Sequence, residues 1–92
     1  MNNQNAPQTG QVFTGAGIDY YRLTTLKHAL KLESKGLKSR GGALRPQWHA
    51  QLGLRSRDSY LVFVNRIIDL QNEYLKANGT PAEKLIPHLE SL

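Results

Sequence analysis

The stretch "SRDSYLVFVNRIIDLQNEYLKANG", residues 56–79, decides the fold because it is the longest segment with a clear helical pattern. Its apolar side chains recur every three or four residues and form one broad face. The members of that face are Tyr60, Leu61, Val64, Ile67, Ile68, Tyr74 and Leu75, with Phe63 beside it. Ser56 or Asp58 is a suitable N-cap, and Asn78-Gly79 is a typical C-terminal stop. A helix is therefore predicted between these signals.

A further helix is predicted upstream, from an N-cap at Asp19 to about Lys38. Its apolar face consists of Leu23, Leu26, Leu30 and Leu37. On the adjoining flank, within about 80° of each other at 100° per residue, lie Lys27, Lys31, Lys35 and Lys38. Glycine costs about 1 kcal/mol in a helix interior, so Gly36 is expected to mark the helix end or a close approach to another backbone.

The segment between these two helices predicts a short helix. Pro46 suits a first helical turn, and Gly53 suits a stop. Leu44, Trp48 and Leu52 are spaced four residues apart, so they are expected to point inward. Trp48 is interpreted as the largest piece of the core rather than as an exposed stacking platform.

The end of the chain completes the predicted architecture. The motif "TPAE", residues 80–83, has the form of a capping box and predicts a short helix that ends before Pro87. The predicted fold is all-α, a small bundle of three main helices plus a short C-terminal helix. Residues 1–17 hold few apolar residues and are expected to be a flexible N-terminal arm, while residues 18–92 form a single helical domain. The predicted core is Leu23, Leu26, Leu30, Leu37, Trp48, Leu52, Tyr60, Leu61, Val64, Ile67, Ile68 and Leu75.

Composition narrows the functional class. The 92 residues include no cysteine, which excludes disulfides and thiolate metal sites. No apolar run approaches the roughly 20 residues that span a bilayer, and the N-terminus lacks the pattern of a secretory signal. A cytoplasmic protein with no membrane association is therefore expected. A chain this short gains from burying additional apolar surface, so a homo-oligomer remains open.

The polar residues do not form a recognisable catalytic or metal-binding pattern. His28, His49 and His88 share no spacing that would place two of them on one metal ion. Glu33 is the only acid in the basic central region, and it is expected to pair with Arg22 or Lys38 rather than to act as a base. No serine has a neighbouring base in the sequence. We therefore expect no catalytic residues, no metal, no cofactor and no enzymatic activity.

Positive charge is concentrated in the middle of the chain. Residues 22–57 contain nine basic residues and one acidic residue, a net charge of +8, whereas the rest of the chain has a net charge of −3. Glycines let backbone amides approach a phosphate closely, and arginine offers donors that match phosphate geometry. The residues predicted to bind a phosphate or an acidic partner are Lys31, Lys35, Lys38, Arg40, Gly41, Gly42, Arg45, Arg55 and Arg57.

The identity of that ligand stays open between several classes. Duplex DNA reading by a helix-turn-helix is disfavoured, because His49 stands where a small residue is expected and Ser59 where an apolar residue is expected. RNA, non-specific nucleic acid and a nucleotide all remain candidates. The same basic surface could dock an acidic protein instead, in which case the chain would be a protein-interaction module.

The sequence "LTTLKHALKLESKGLKSRGGALRPQWHAQLGLRSRDSYLVFVNRI" also resembles a group of small uncharacterised phage and prophage proteins. The shared features are an Ala-Leu-Lys-Leu-Glu-x-Lys-Gly-Leu core at residues 29–37, a Ser/Arg/Gly loop at residues 39–42, and a short helix that ends in Leu52-Gly53-Leu54. The resemblance covers about half of the chain. It implies a phage-encoded accessory protein that acts by binding inside a bacterial host, as proteins that counter host defence or redirect host machinery do.

Overall fold

The structure is a computed structural model that describes residues 17–37 and 41–92. These residues form three α-helices and no strand, which confirms the predicted all-α bundle. The helices are α1 (Tyr20–Ser34), α2 (Leu44–Leu52) and α3 (Tyr60–Ala77), followed by a single 3-10 turn at Ala82–Lys84. The predicted N-terminal arm lies outside the described residues, apart from Gly17.

Helix α3 is the element on which the other two helices pack. Its N-cap is Ser59, whose hydroxyl accepts a hydrogen bond from the backbone N–H of Val62 at 3.2 Å. The N-cap thus lies one residue after Asp58 and three after Ser56, the two predicted starts, because the Asp58 carboxylate is used in the preceding turn. The predicted end is confirmed, since the helix terminates at Ala77 with Asn78 as its C-cap.

The core lies between the three helices, and most of the predicted apolar residues form it. Its buried members are Ile18, Leu23, Leu26, Leu30, Leu44, Leu52, Phe63, Val64, Ile67, Ile68 and Leu70. Trp48 and Tyr60 pack against this cluster but are only half-buried. Truncating a fully buried residue of this cluster, such as Phe63, to alanine is expected to cost about 3–5 kcal/mol of stability.

Helix α1 begins where the sequence predicts and ends earlier. The Asp19 carboxylate accepts hydrogen bonds from the N–H groups of the first turn, as expected for an N-cap. At the other end, Gly36 adopts a left-handed conformation with φ of 92°. The Gly36 N–H bonds the carbonyl of Glu33, and the Leu37 N–H bonds the carbonyl of Leu32, both at 3.0 Å. The helix therefore stops at Ser34, and Leu37, predicted in the core, is 61% exposed.

Helices α1 and α3 run antiparallel, and a buried glutamine joins them. The Gln71 side chain of α3 is fully buried, and its amide donates to the Tyr20 carbonyl at 3.3 Å and to the Thr24 hydroxyl at 2.9 Å. Its oxygen accepts a hydrogen bond from the Lys27 ammonium at 2.8 Å. Both amide protons and the carbonyl oxygen of Gln71 thus have partners on α1, as expected for a buried amide.

The segment after α3 returns along that helix in a largely irregular conformation. The side-chain amide of Asn72 makes two hydrogen bonds with the backbone of Ile86, and that of Asn65 makes two with the backbone of Leu89, at 2.8–3.0 Å. The two asparagines are seven residues apart and therefore share one face of α3. The predicted capping box does not form, because the 3-10 turn has no side-chain cap.

Candidate anion-binding turn and the adjoining groove

Glu33 is a buried carboxylate that connects all three helices. It is 6% exposed, and both of its oxygens accept from the Leu44 N–H, at 3.1 and 3.2 Å. The Tyr60 hydroxyl donates to the same carboxylate at 2.8 Å. Because Ala43, the N-cap of α2, has no side-chain acceptor, Glu33 caps that helix from α1 and places a negative charge at its positive end.

The expected ion pair between Glu33 and Arg22 is therefore wrong. Arg22 lies over the Trp48 ring instead, with its guanidinium carbon 5.3 Å from the ring centroid. The alternative partner, Lys38, lies outside the described residues. The hydrogen bond to Glu33, together with partial burial, raises the pKa of the Tyr60 phenol above its usual value of 10.0. Glu33 thus has a structural role.

Arg45 is also used inside the protein. Its Nη1 donates to the Asp58 carbonyl at 2.9 Å, and its guanidinium carbon lies 4.1 Å from the centroid of the Tyr60 ring. The residue ties α2 to the turn that precedes α3. One of its donors is therefore used within the fold, and a ligand-binding role for Arg45 stays a prediction.

The remaining predicted residues fall into separate places on the molecule. The Lys27 ammonium donates a hydrogen bond to Gln71 of α3. Burial lowers the pKa of Lys27 below its usual value of 10.5, and the charge of Lys31 lowers it further. At 100° per residue, Lys27 and Lys31 project about 140° and about 180° away from Arg22 around α1. Since Arg22 faces α2, these lysines lie on the flank of α1 that faces α3 or solvent, and Lys35 is exposed at the C-cap of α1.

The glycine loop before α2 is only partly described. Lys38 and Arg40 lie outside the described residues, whereas Gly41 and Gly42 are exposed. The Gln47 amide donates to the Gly41 carbonyl at 2.6 Å and thereby closes this loop onto α2.

Two of the predicted arginines do come together, in what we call the arginine turn, residues 55–58. The Asp58 N–H bonds the Arg55 carbonyl at 3.0 Å, and the Asp58 carboxylate accepts from the Arg55 backbone at 2.9 Å and from its guanidinium at 3.4 Å. The Arg55 N–H, and then the nearby positive charges, hold the pKa of Asp58 below its usual value of 3.8. The turn is therefore closed by its own acid, which is neutralised by Arg55.

The arginine turn lines a concave surface of about 370 Å³. The lining residues are His49, Leu54, Arg55, Ser56 and Arg57. The His49 Nδ1 donates to the Leu54 carbonyl at 3.1 Å, which orients the ring and leaves Nε2 without a partner among the described residues. No described residue accepts a hydrogen bond from the side chains of Ser56 or Arg57, both of which are exposed. The hydroxyl of Ser56 and the guanidinium groups of Arg55 and Arg57 thus belong to residues that line one small concavity beside the His49 ring.

A second concave surface separates α1 from α2, because both helices pack on α3 rather than closely on each other. This groove has a volume of about 440 Å³ and is lined by Tyr21, Arg22, Thr25, Leu26, Ala29, Leu44 and Trp48. Sequence reasoning missed it. The available signal was the occurrence of Tyr21, Thr25 and Ala29 at helical spacing on the flank of α1 beside the leucine face.

The described residues contain no group of three or more His, Asp or Glu side chains that could hold a metal ion. No described helix is both long enough and apolar enough to cross a membrane. No protein-family model, no curated protein and no solved structure matches this chain.

Proposed function

We propose that the protein is a non-enzymatic binding protein that holds a phosphate group of a nucleic acid or a nucleotide at the arginine turn. The observation that carries this proposal is the convergence of Arg55, Ser56, Arg57 and His49 on one concavity. Guanidinium and hydroxyl donors in such a position match the oxygen acceptors of a phosphate.

The electrostatics of the turn support an anionic ligand. Its single acid, Asp58, is hydrogen-bonded to Arg55 and also attracts Arg57, so two arginines against one acid leave the turn with a positive net charge. Helix α3 begins immediately after the turn, and the positive end of its dipole adds to the attraction. The surplus of basic residues in the chain, with a net charge of +5, steers phosphate-bearing partners towards it.

The arrangement favours binding over catalysis. His49 and Ser56 line the same surface, but no hydrogen bond joins them, so the hydroxyl has no base in place to activate it. The residues that line the concavity therefore offer hydrogen-bond donors but no activated nucleophile.

The resemblance to small phage and prophage proteins sets this activity in a biological context. A phage-encoded accessory protein of this kind would act in the bacterial cytoplasm, where it would bind nucleic acid or a nucleotide to counter host defence.

The test is a titration of the full chain with a single-stranded oligonucleotide, a duplex, ATP and inorganic phosphate. Arg57→Ala is compared with Lys76→Ala, which removes one exposed positive charge from the far end of α3. We expect Arg57→Ala to weaken binding about tenfold, the effect of roughly 1.4 kcal/mol, and Lys76→Ala to leave it within about twofold.

The dependence on salt identifies the source of the phosphate. Binding to a polymer loses affinity steeply with salt, and Arg57→Ala should lower the log–log slope by about one unit. If the natural ligand is a nucleotide, the affinity should depend only weakly on salt, and longer oligonucleotides should bind no more tightly than short ones. Equal affinities of the Arg57→Ala and Lys76→Ala variants for every ligand would contradict the proposal.

A further inference from the structure

The groove between α1 and α2 is built differently from the arginine turn. Its floor consists of apolar side chains, with Leu26 at 5% and Leu44 at 8% exposure, and Ala29 leaves room above them. Among the described residues that line it, Arg22 is the only charged one and none is a carboxylate. The groove therefore presents apolar surface with one cationic edge.

An exposed stripe on α1 extends this groove. Tyr21 and Leu32 are 61% and 50% exposed, and Thr25 and Ala29 lie between them at helical spacing. Eleven residues separate the two ends of the stripe, a length of roughly 16 Å or three helical turns. A groove with an apolar stripe of this length matches the mode in which an amphipathic helix binds through side chains at every third or fourth position.

The Trp48 ring of the groove is already covered, which disfavours a nucleobase stacked on it. The Arg22 guanidinium lies over the Trp48 ring, and the floor beside that ring is aliphatic. Base recognition by stacking requires an open ring face. Aliphatic and aromatic side chains of a protein fit such a floor directly.

The charges select the partner further. The chain carries a net charge of +5, and Arg22 places a positive charge on the groove itself. A second copy of the chain would bring the same positive field to this surface, which costs free energy. An acidic partner is instead attracted to it, and Arg22 offers a donor at the groove edge.

We propose that the α1–α2 groove binds an acidic amphipathic helix of a partner protein. The apolar side chains of that helix would pack on Leu26, Ala29 and Leu44, and one of its carboxylates would pair with Arg22. This site is distinct from the arginine turn and does not depend on phosphate binding. The protein would then join a phosphate-bearing ligand to an acidic protein.

The test is a selection of 16-residue peptides from a random displayed library on the full chain, with counter-selection on Leu32→Glu. Leu32→Glu changes an exposed residue, and Val62→Glu is its matched control, because Val62 is an exposed apolar residue of α3 at 44% exposure. Circular dichroism and thermal melting verify that both variants fold. The selected peptides are then titrated with the fluorescence of Trp48, the single tryptophan of the chain, as the signal.

We expect selected peptides to carry several acids and apolar residues at spacings of three and four. Leu32→Glu should weaken their binding at least about tenfold and Val62→Glu less than about twofold. Thr25→Arg, a second exposed change in the groove wall, should block binding although it adds a positive charge.

Four results would overturn the proposal. The first is selected peptides without acidic residues or helical periodicity, or no enrichment at all. The second is equal effects of Leu32→Glu and Val62→Glu. The third is light scattering that shows a dimer which Leu32→Glu dissociates, since the groove would then bind a second copy. Competition by an oligonucleotide for the groove would likewise assign it to nucleic acid.

Discussion

The irregular segment after α3 and the arginine turn before α3 differ in where their polar groups point. In the C-terminal segment, Asn65 and Asn72 bind the backbone of Leu89 and Ile86. In the arginine turn, Asp58 holds the backbone together, while Ser56 and Arg57 face outward without partners among the described residues. The first segment uses its polar side chains within the fold, whereas the second leaves the side chains of Ser56 and Arg57 exposed. This difference in the use of polar groups, more than the charge density along the chain, is the reason why we propose a ligand at the arginine turn.

The largest effect on stability is expected from removing the buried Glu33 carboxylate, whose hydrogen bonds lie within the fold. Glu33→Ala leaves the Leu44 N–H and the Tyr60 hydroxyl without their acceptor, so we expect a loss of about 2–4 kcal/mol in the free energy of unfolding. Urea denaturation followed by circular dichroism measures it. Glu73→Ala, which removes an exposed acid from α3, is the control and should change stability by less than about 0.5 kcal/mol. Equal stabilities of the two variants would show that Glu33 is not a structural cap.

A smaller effect is expected from releasing the C-terminal segment. Asn72→Ala removes both hydrogen bonds to Ile86, which should cost about 1–2 kcal/mol. Hydrogen exchange at the Ile86 amide should accelerate, whereas Gln51→Ala on the exposed side of α2 should leave that amide protected. If the Ile86 amide of Asn72→Ala exchanges as slowly as in the wild type, the segment is held by other contacts.

Replacing Arg57 should weaken ligand binding without lowering the stability of the fold. Arg57→Ala should change the free energy of unfolding by less than about 0.5 kcal/mol, because the side chain contacts no acceptor in the described part of the chain. Urea denaturation beside the binding assay measures both effects on one sample. A loss of stability as large as the loss of binding would show that Arg57 supports the fold rather than a ligand.

The smallest effect concerns the acid that closes the turn. Because the pKa of Asp58 is lowered in the folded state, its contribution to stability is present above its usual value of 3.8 and is lost as the pH falls through the lowered value. Asn at this position cannot titrate, so the difference in stability between wild type and Asp58→Asn should shrink as the pH falls below 3.8. Thermal melting between pH 2 and 6 (roughly the range of carboxylate titration) checks this. A constant difference across that range would show that the ionised carboxylate does not hold the turn.

The fold was predictable where one local signal decided the outcome. Asp19 as an N-cap, Gly53 as the end of α2 and the apolar face of α3 each depend on neighbouring residues alone. Leu37 was misplaced because the glycine at position 36 ended α1 one turn earlier than the leucine pattern indicated.

The parts that could not be predicted depend on contacts between distant residues. Glu33 lies on the same face as Leu23, Leu26 and Leu30, so its spacing indicated burial, but its partner Leu44 N–H is visible only in three dimensions. The contacts of the Arg45 guanidinium with the Asp58 carbonyl and the Tyr60 ring likewise could not be predicted, because nothing in the neighbouring sequence indicates them.

Amide chemical-shift mapping of the full chain tests most directly whether phosphate binds at the arginine turn. On titration with a phosphate-bearing ligand, we predict the largest shifts at Ser56, Arg57 and His49, with little change at Lys31 and Lys35. Shifts that centre on Lys31 and Lys35 and leave the arginine turn unchanged would contradict the account.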